Sequence, residues 1–99
     1  MTYSLYTTPS GERALKKLYP KVREHLLNEL QTLKTNPFSG EQLLGEMRSL
    51  RSLHTRCAGT DYRVAYEVDE QEHAVVIRYA ASRENFYKEL RRLPLKHTA

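Results

Sequence analysis

Arginines stand at positions 48, 51, 56, 63, 78 and 83, and His54 lies among them. A guanidinium keeps its charge and matches two phosphate oxygens at once. An imidazole titrates near neutrality, so it can take or give a proton. Tyr87 lies one helical turn beyond Arg83, and an aromatic ring can stack on a base and hold it splayed. Brought together, these residue types suit a ligand that carries both phosphate and bases.

Arg63 belongs to the stretch GTDYRVAYEVDE, residues 59–70. Tyr62, Val64, Tyr66 and Val68 alternate there with Asp61, Arg63, Ala65 and Glu67, which is the period of a half-buried strand. The tyrosines and valines take the core side and Arg63 the opposite side. On the preceding segment Ser52, His54 and Arg56 share one side of a regular strand, with Leu53, Thr55 and Cys57 facing the other way.

The elements that must position these groups follow from periodicity and punctuation. Residues 2–7 alternate weakly and predict a short first strand. Thr8 is an N-cap with Pro9 at the first helical position, and Ala14, Leu15 and Leu18 form the apolar stripe of a short helix. Tyr19-Pro20 ends it, because a residue before proline avoids helical dihedrals. Val22, Leu26, Leu27, Leu30 and Leu33 recur at steps of three and four in a second, amphipathic helix that Asn36-Pro37 stops. The tight joint predicts an antiparallel helical hairpin. After a loop with Gly40 and Gly45, strands are expected at 49–57, 61–68 and 73–80. The last two form a hairpin through the acidic turn at 69–72. Residues 84–92 make a short final helix ended by Pro94. The order predicts an α+β domain with its helices packed on one face of a small sheet of antiparallel strands.

The chain of 99 residues is one domain, 1–99, able to bury a core without metals or crosslinks. Cys57 is its one cysteine, so no intrachain disulfide forms and a cytoplasmic setting fits. The N-terminus lacks the basic-then-apolar order of a signal peptide, and no stretch has the length of a membrane span. The net charge of +4 favours an anionic partner, nucleic acid or an acidic protein. That charge is uneven: residues 1–47 are near balance, 48–66 carry four arginines against Asp61, 67–72 carry four acids, and 78–99 carry six bases against Glu84 and Glu89. The histidines and Cys57 have no ligand spacing, His73 and His97 included, so neither a metal nor another cofactor is expected.

Four segments, YTTPSGERALKKLYPKVREHLLNEL, NPFSGEQLLGEMRSL, GTDYRVAYEVD and ASRENFY, resemble in order and spacing the RelE/ParE superfamily of type II toxin–antitoxin toxins, over residues 3–87. The resemblance implies a small sheet with a helical hairpin on one face, the other face and the C-terminal segment forming the working surface. RelE-like members cut messenger RNA in the ribosomal A site, and ParE-like members poison DNA gyrase. Both are silenced by an antitoxin that wraps the toxin. The implied partners here are a cognate acidic antitoxin and mRNA on the ribosome, with contacts to 16S rRNA and none to a membrane. The expected function is that of a metal-independent endoribonuclease, with gyrase inhibition as the alternative.

Metal-free RNA cleavage needs a base for the 2′-hydroxyl, a cation for the charge gathering on phosphorus, and an acid for the leaving 5′-oxygen. Arg63 matches the arginine of the family's Y-R-x-x-Y strand and is expected to hold phosphate. Arg83 and Tyr87 match the arginine and tyrosine of its closing G-H-R-x-x-V-Y pattern, and are expected to stabilise the transition state and to stack on the cleaved nucleotide. Arg51, Arg56, Arg78 and Lys88 are further candidates for RNA and phosphate. Lysines common on the family's third strand are replaced by Ser52 and His54, so His54 is either the general base or an ordinary surface histidine. Ala81 and Ser82 replace the glycine and histidine of the closing pattern, which leaves the acid unassigned. Each candidate also has a structural alternative. Arg63 has Glu67 as a same-face ion-pair partner, Arg83 has helix docking, and Tyr87 has the core. His25 is expected to face solvent and Cys57 to be buried.

Overall fold

The computed structural model describes residues 2–92, so Pro94 and His97 lie outside the described residues. The chain runs β1 (Ser4–Thr7), α1 (Pro9–Lys16), α2 (Pro20–Leu30), a 3-10 turn (Gln31–Lys34), β2 (Glu41–Gln42), a second 3-10 turn (Gly45–Met47), β3 (Arg51–Cys57), β4 (Thr60–Asp69), β5 (Ala74–Ser82) and α3 (Arg83–Leu90). Thr8 caps α1 by accepting a hydrogen bond from the Gly11 amide at 3.0 Å, and Pro9 opens the helix, the combination its sequence favours. Gly11 lets α1 lie against the sheet backbone: a Cβ there would stand 2.5 Å from the Ile77 carbonyl oxygen.

The five strands form one sheet in the order β1-β5-β4-β3-β2. β3, β4 and β5 pair antiparallel in sequence order, as their hairpins require. β1 instead pairs in parallel with β5, matching Ser4–Thr7 to Ala74–Ile77, so the sheet is mixed. The β3–β4 turn places Ala58 at φ 52° and Gly59 at φ 81°. Positive φ at both central positions is the hairpin turn whose twist suits the flanking strands.

One sheet face carries the main core. Leu15, Val22, Leu26, Leu30 and Leu33 of the helical layer meet Val64, Tyr66, Val75 and Ile77 of the sheet, with Tyr62, Val68, Leu53 and Cys57 at its margin. The helical layer follows the 3.6 period except at Leu27, which is 43% exposed and faces away from the core, and the alternation in β4 points the expected residues inward. The third helix departs from the one-faced expectation. Phe86 and Leu90 of α3 pack on the opposite face against Ala65, Leu50 and Leu43, so Ala65 is buried as fully as its neighbours Val64 and Tyr66. A short helix with two large apolar residues on one side must bury them somewhere, and Leu43, Leu50 and Ala65 supply the apolar floor here.

Tyr66 ties the core to the loop before β2. Its hydroxyl donates to the Pro37 carbonyl at 2.8 Å and accepts from the Gly40 amide at 2.9 Å. Gly40 lies so close to that hydroxyl that a Cβ would overlap it. Burial, outweighing nearby hydrogen bonds and Arg51, raises the Tyr66 pKa above 10.0. We expect Tyr66→Phe to cost about 1–3 kcal/mol in denaturant unfolding, because two buried backbone groups lose their partner. The wild type should also lose stability as pH rises past the ordinary tyrosine value, since the unfolded phenol ionises first; the Phe variant should lose less.

Candidate functional site

The sheet face opposite α1 and α2 is built from β3, β4 and the start of α3. Strand pairing sets His54 beside Arg63, Arg56 beside Asp61, and Arg63 beside Ala81, two residues before Arg83. Ser52, His54 and Arg56 do share this face, while Thr55 points back to the helices and bonds His25 at 2.9 Å between its hydroxyl and the imidazole Nε2. His25 is thus partly buried and engaged, a correction to its solvent-facing expectation: the third strand reaches under α2 at that point.

Arg63 is the most enclosed cation on this surface, its side chain only 16% exposed. One Nη donates to the buried Ser52 hydroxyl at 3.4 Å, and Glu41, itself exposed, comes no nearer than 3.9 Å. Its Nε is buried and has no partner among the described residues. The guanidinium lies 5.9 Å from the centre of the Tyr87 ring, within reach of the ring's negative face. Glu67 does not pair with Arg63. It binds Arg78, whose Nε donates to Glu67 at 2.8 Å with a second bond from the same guanidinium. Buried cations are normally matched by close carboxylates; Arg63 is not.

Asp61 organises the far end of the row. Its Oδ1 lies 3.2 Å from Arg56 and 3.4 Å from His54 Nε2, and Arg56 also donates to the Gly59 carbonyl at 3.2 Å. Asp61 further lines a 490 Å³ cleft with Gly59, Thr60, Ser82, Arg83 and Glu84. The side chain of Arg83 is exposed at the first turn of α3 and has no polar partner among the described residues. Tyr87, one turn on, is half-buried and meets the Phe86 ring edge-on at 4.9 Å. Lys88 is exposed beside it.

The structure therefore gathers Arg63, His54, Arg56, Asp61, Arg83 and Tyr87 on one continuous surface. It does not bring Arg51 or Arg78 there as free cations. Arg51 points to the other face and straps the loop, donating to Gly40 at 2.7 Å and Phe38 at 3.2 Å and lying 5.0 Å over the Phe38 ring. Arg78 is neutralised by Glu67. Asp61 was not among the expected site residues, and the hairpin register that sets it opposite Arg56 is the signal that points to it. We expect Asp61→Asn to lower any activity that needs an oriented His54 by about ten- to a hundredfold, with little effect on thermal stability, since its partners are largely exposed.

Residues 5–91 match the model of the ParE-like toxin of type II bacterial toxin–antitoxin systems. The chain belongs to that family, and its fold is RelE-like. The toxin–antitoxin complex RelBE2 of Mycobacterium tuberculosis contains a chain 29% identical, covering 84% of this chain and all of that one, with a TM-score of 0.70. The intact RelBE complex of E. coli gives 24% identity, 80% and 94% coverage and a TM-score of 0.67. A free E. coli RelE variant gives 22% identity, 95% and 100% coverage and a TM-score of 0.72. Curated protein sequences return no match. The first two of these structures hold a toxin with its antitoxin, and the third is a toxin in the free state. Among the described residues no helix is long and apolar enough to cross a membrane.

Proposed function

We propose that this toxin is a metal-independent endoribonuclease that cuts messenger RNA in the ribosomal A site and so stops translation. The observation that carries the reading is Arg63: an enclosed guanidinium without a close carboxylate, set under Tyr87 and beside His54. An RNA phosphate is the charge it lacks. Arg83 approaches the same phosphate from the first turn of α3, and the two cations stabilise the negative charge that builds on the equatorial oxygens. His54 takes the proton from the 2′-hydroxyl, and the freed oxygen attacks phosphorus. The P–O bond to the 5′-oxygen breaks, leaving a 2′,3′-cyclic phosphate, and the departing oxygen takes a proton from the imidazolium or from solvent. Asp61 holds the His54 ring in place. Tyr87 stacks on the nucleotide, and Arg56 and Lys88 flank it for mRNA or 16S rRNA phosphates.

The action belongs in the cytoplasm, and a cognate acidic antitoxin silences it by covering this basic face. The reading is tested with purified toxin on ribosomes carrying a defined mRNA. Expected are fragments cut within the A-site codon, formed equally by toxin that was treated with a chelator and freed of it before addition to the ribosomes.

A second reading is supported by the ParE-like family model and by Ser52 and His54 standing where lysines are common. In it the toxin binds DNA gyrase and cuts nothing. A supercoiling assay separates the two: inhibition of purified gyrase with mRNA left intact would establish the second and remove the first.

A further inference from the structure

β1 covers only part of the outer edge of β5. Its four residues end opposite Ile77, whereas β5 continues to Ser82. Gly11 draws α1 against the backbone at Ile77 and Arg78, and α3 leaves from the end of β5. The uncovered stretch Tyr79–Ser82 therefore floors a notch between the end of α1 and the start of α3. That notch is a 290 Å³ groove lined by Lys17, Tyr19, Tyr62, Tyr79, Ser82 and Asn85 among others.

Its composition is unlike a leftover packing defect. Tyr19 is 79% exposed, although a tyrosine ring contributes to a core only by burial. It precedes Pro20, so its backbone is held extended at ψ 145° and the ring is presented at a rigid corner. Lys17 and Lys21 flank it, both exposed and without an acidic partner among the described residues. Arg23 holds the same corner by donating to the Lys16 and Leu18 carbonyls at 3.4 Å. Ser82 lines both this groove and the cleft of Arg83 and Asp61, so the two adjoin at the end of β5. Aromatic rings with a basic rim are the chemistry that holds single-stranded nucleic acid independently of its sequence.

We propose that this groove is a subsite for the single-stranded RNA flanking the cleaved phosphate, with a base stacked on Tyr19 and a backbone phosphate held by Lys17. The subsite rests on the endoribonuclease reading for the identity of its strand, and it adds a binding surface remote from the reacting atoms.

The test uses the full chain with Arg83→Ala, so that cutting is slowed about 100- to 1,000-fold, and a fluorescein-labelled single-stranded RNA of roughly 10 nucleotides. Fluorescence anisotropy should show Tyr19→Ala weakening binding about 5- to 100-fold while Tyr19→Phe binds within about twofold of its parent. Lys17→Gln should lower the slope of log affinity against log salt by about one. Tyr19 is exposed, so folding is not at stake, and a circular dichroism spectrum checks it. No binding of single strands, binding unchanged by Tyr19→Ala, or equal loss with Tyr19→Phe would overturn the subsite. Tyr19-dependent binding in a chain whose wild type leaves translated mRNA intact would keep the groove and refute the endoribonuclease reading. Cutting by a wild type whose binding ignores Tyr19 would refute the groove alone.

Discussion

Arg83→Ala should abolish cleavage of ribosome-bound mRNA, with a loss of about 100- to 1,000-fold in the single-turnover rate. The side chain is exposed at the first turn of α3 and bonds nothing among the described residues, so its removal leaves the core intact. A donor aimed at charge that exists only in the transition state contributes to rate and not to stability. Unfolding midpoints should therefore coincide with wild type within about 0.5 kcal/mol, the usual range for surface substitutions. Arg83→Lys should recover part of the rate, since an ammonium supplies charge without the two-pronged geometry. Thermal melts and rates on the same preparations check both halves. A folded Arg83→Ala protein cutting at full rate would remove Arg83 from the mechanism.

Phe86→Ala should cost about 3–5 kcal/mol of stability, the usual range for a buried aromatic. Phe86 is fully buried and is the main anchor of α3 on the face opposite the helical hairpin. It supports the Tyr87 ring edge-on at 4.9 Å and packs near Tyr79. Losing it loosens the helix that carries both Arg83 and Tyr87. The expected signature is a combined one: a lowered unfolding midpoint, and a cleavage rate reduced even at temperatures where the protein remains folded. Phe86→Leu, which keeps most of the volume, should restore the greater part of both. Denaturant unfolding paired with cleavage at low temperature measures the two effects separately.

What could be read from the chain alone was governed by period and punctuation. Val22, Leu26 and Leu30 mark the buried stripe of α2 because a helix repeats on that spacing, and Val64 and Tyr66 mark the core face of β4 because a strand repeats on two. The proline and threonine signals at the start of α1 are local and were equally legible. Three features were not. β2 is two residues long, too short to carry a period. The parallel pairing of β1 with β5 joins residues far apart in sequence, and weak alternation in β1 says nothing of its partner. α3 crosses to the second face because Ala65 leaves room there, which only the packed sheet reveals.

The site divides the same way. Arg63 and the trio Ser52, His54 and Arg56 fall on one surface through alternation alone. That same alternation sets Arg51 on the opposite side, with Leu53, so its place at the loop could have been inferred. Arg78 could not be placed by counting, since the ladder between β4 and β5 shifts register at Ala65/Tyr66 and parity is lost across such an irregularity. The shift leaves Arg78 against Glu67, which removes the acid that was the alternative partner of Arg63.

The central claim is that Arg63 and Arg83 act on one scissile phosphate, and a double-mutant cycle tests it most directly. Single-turnover cleavage on programmed ribosomes is measured for wild type, Arg63→Lys, Arg83→Lys and the double variant. Groups that act as a unit are strongly non-additive, so the account requires the double variant to be far less impaired than the product of the two single losses. Losses that simply multiply would mean that the two arginines work on separate groups, and the account would be wrong.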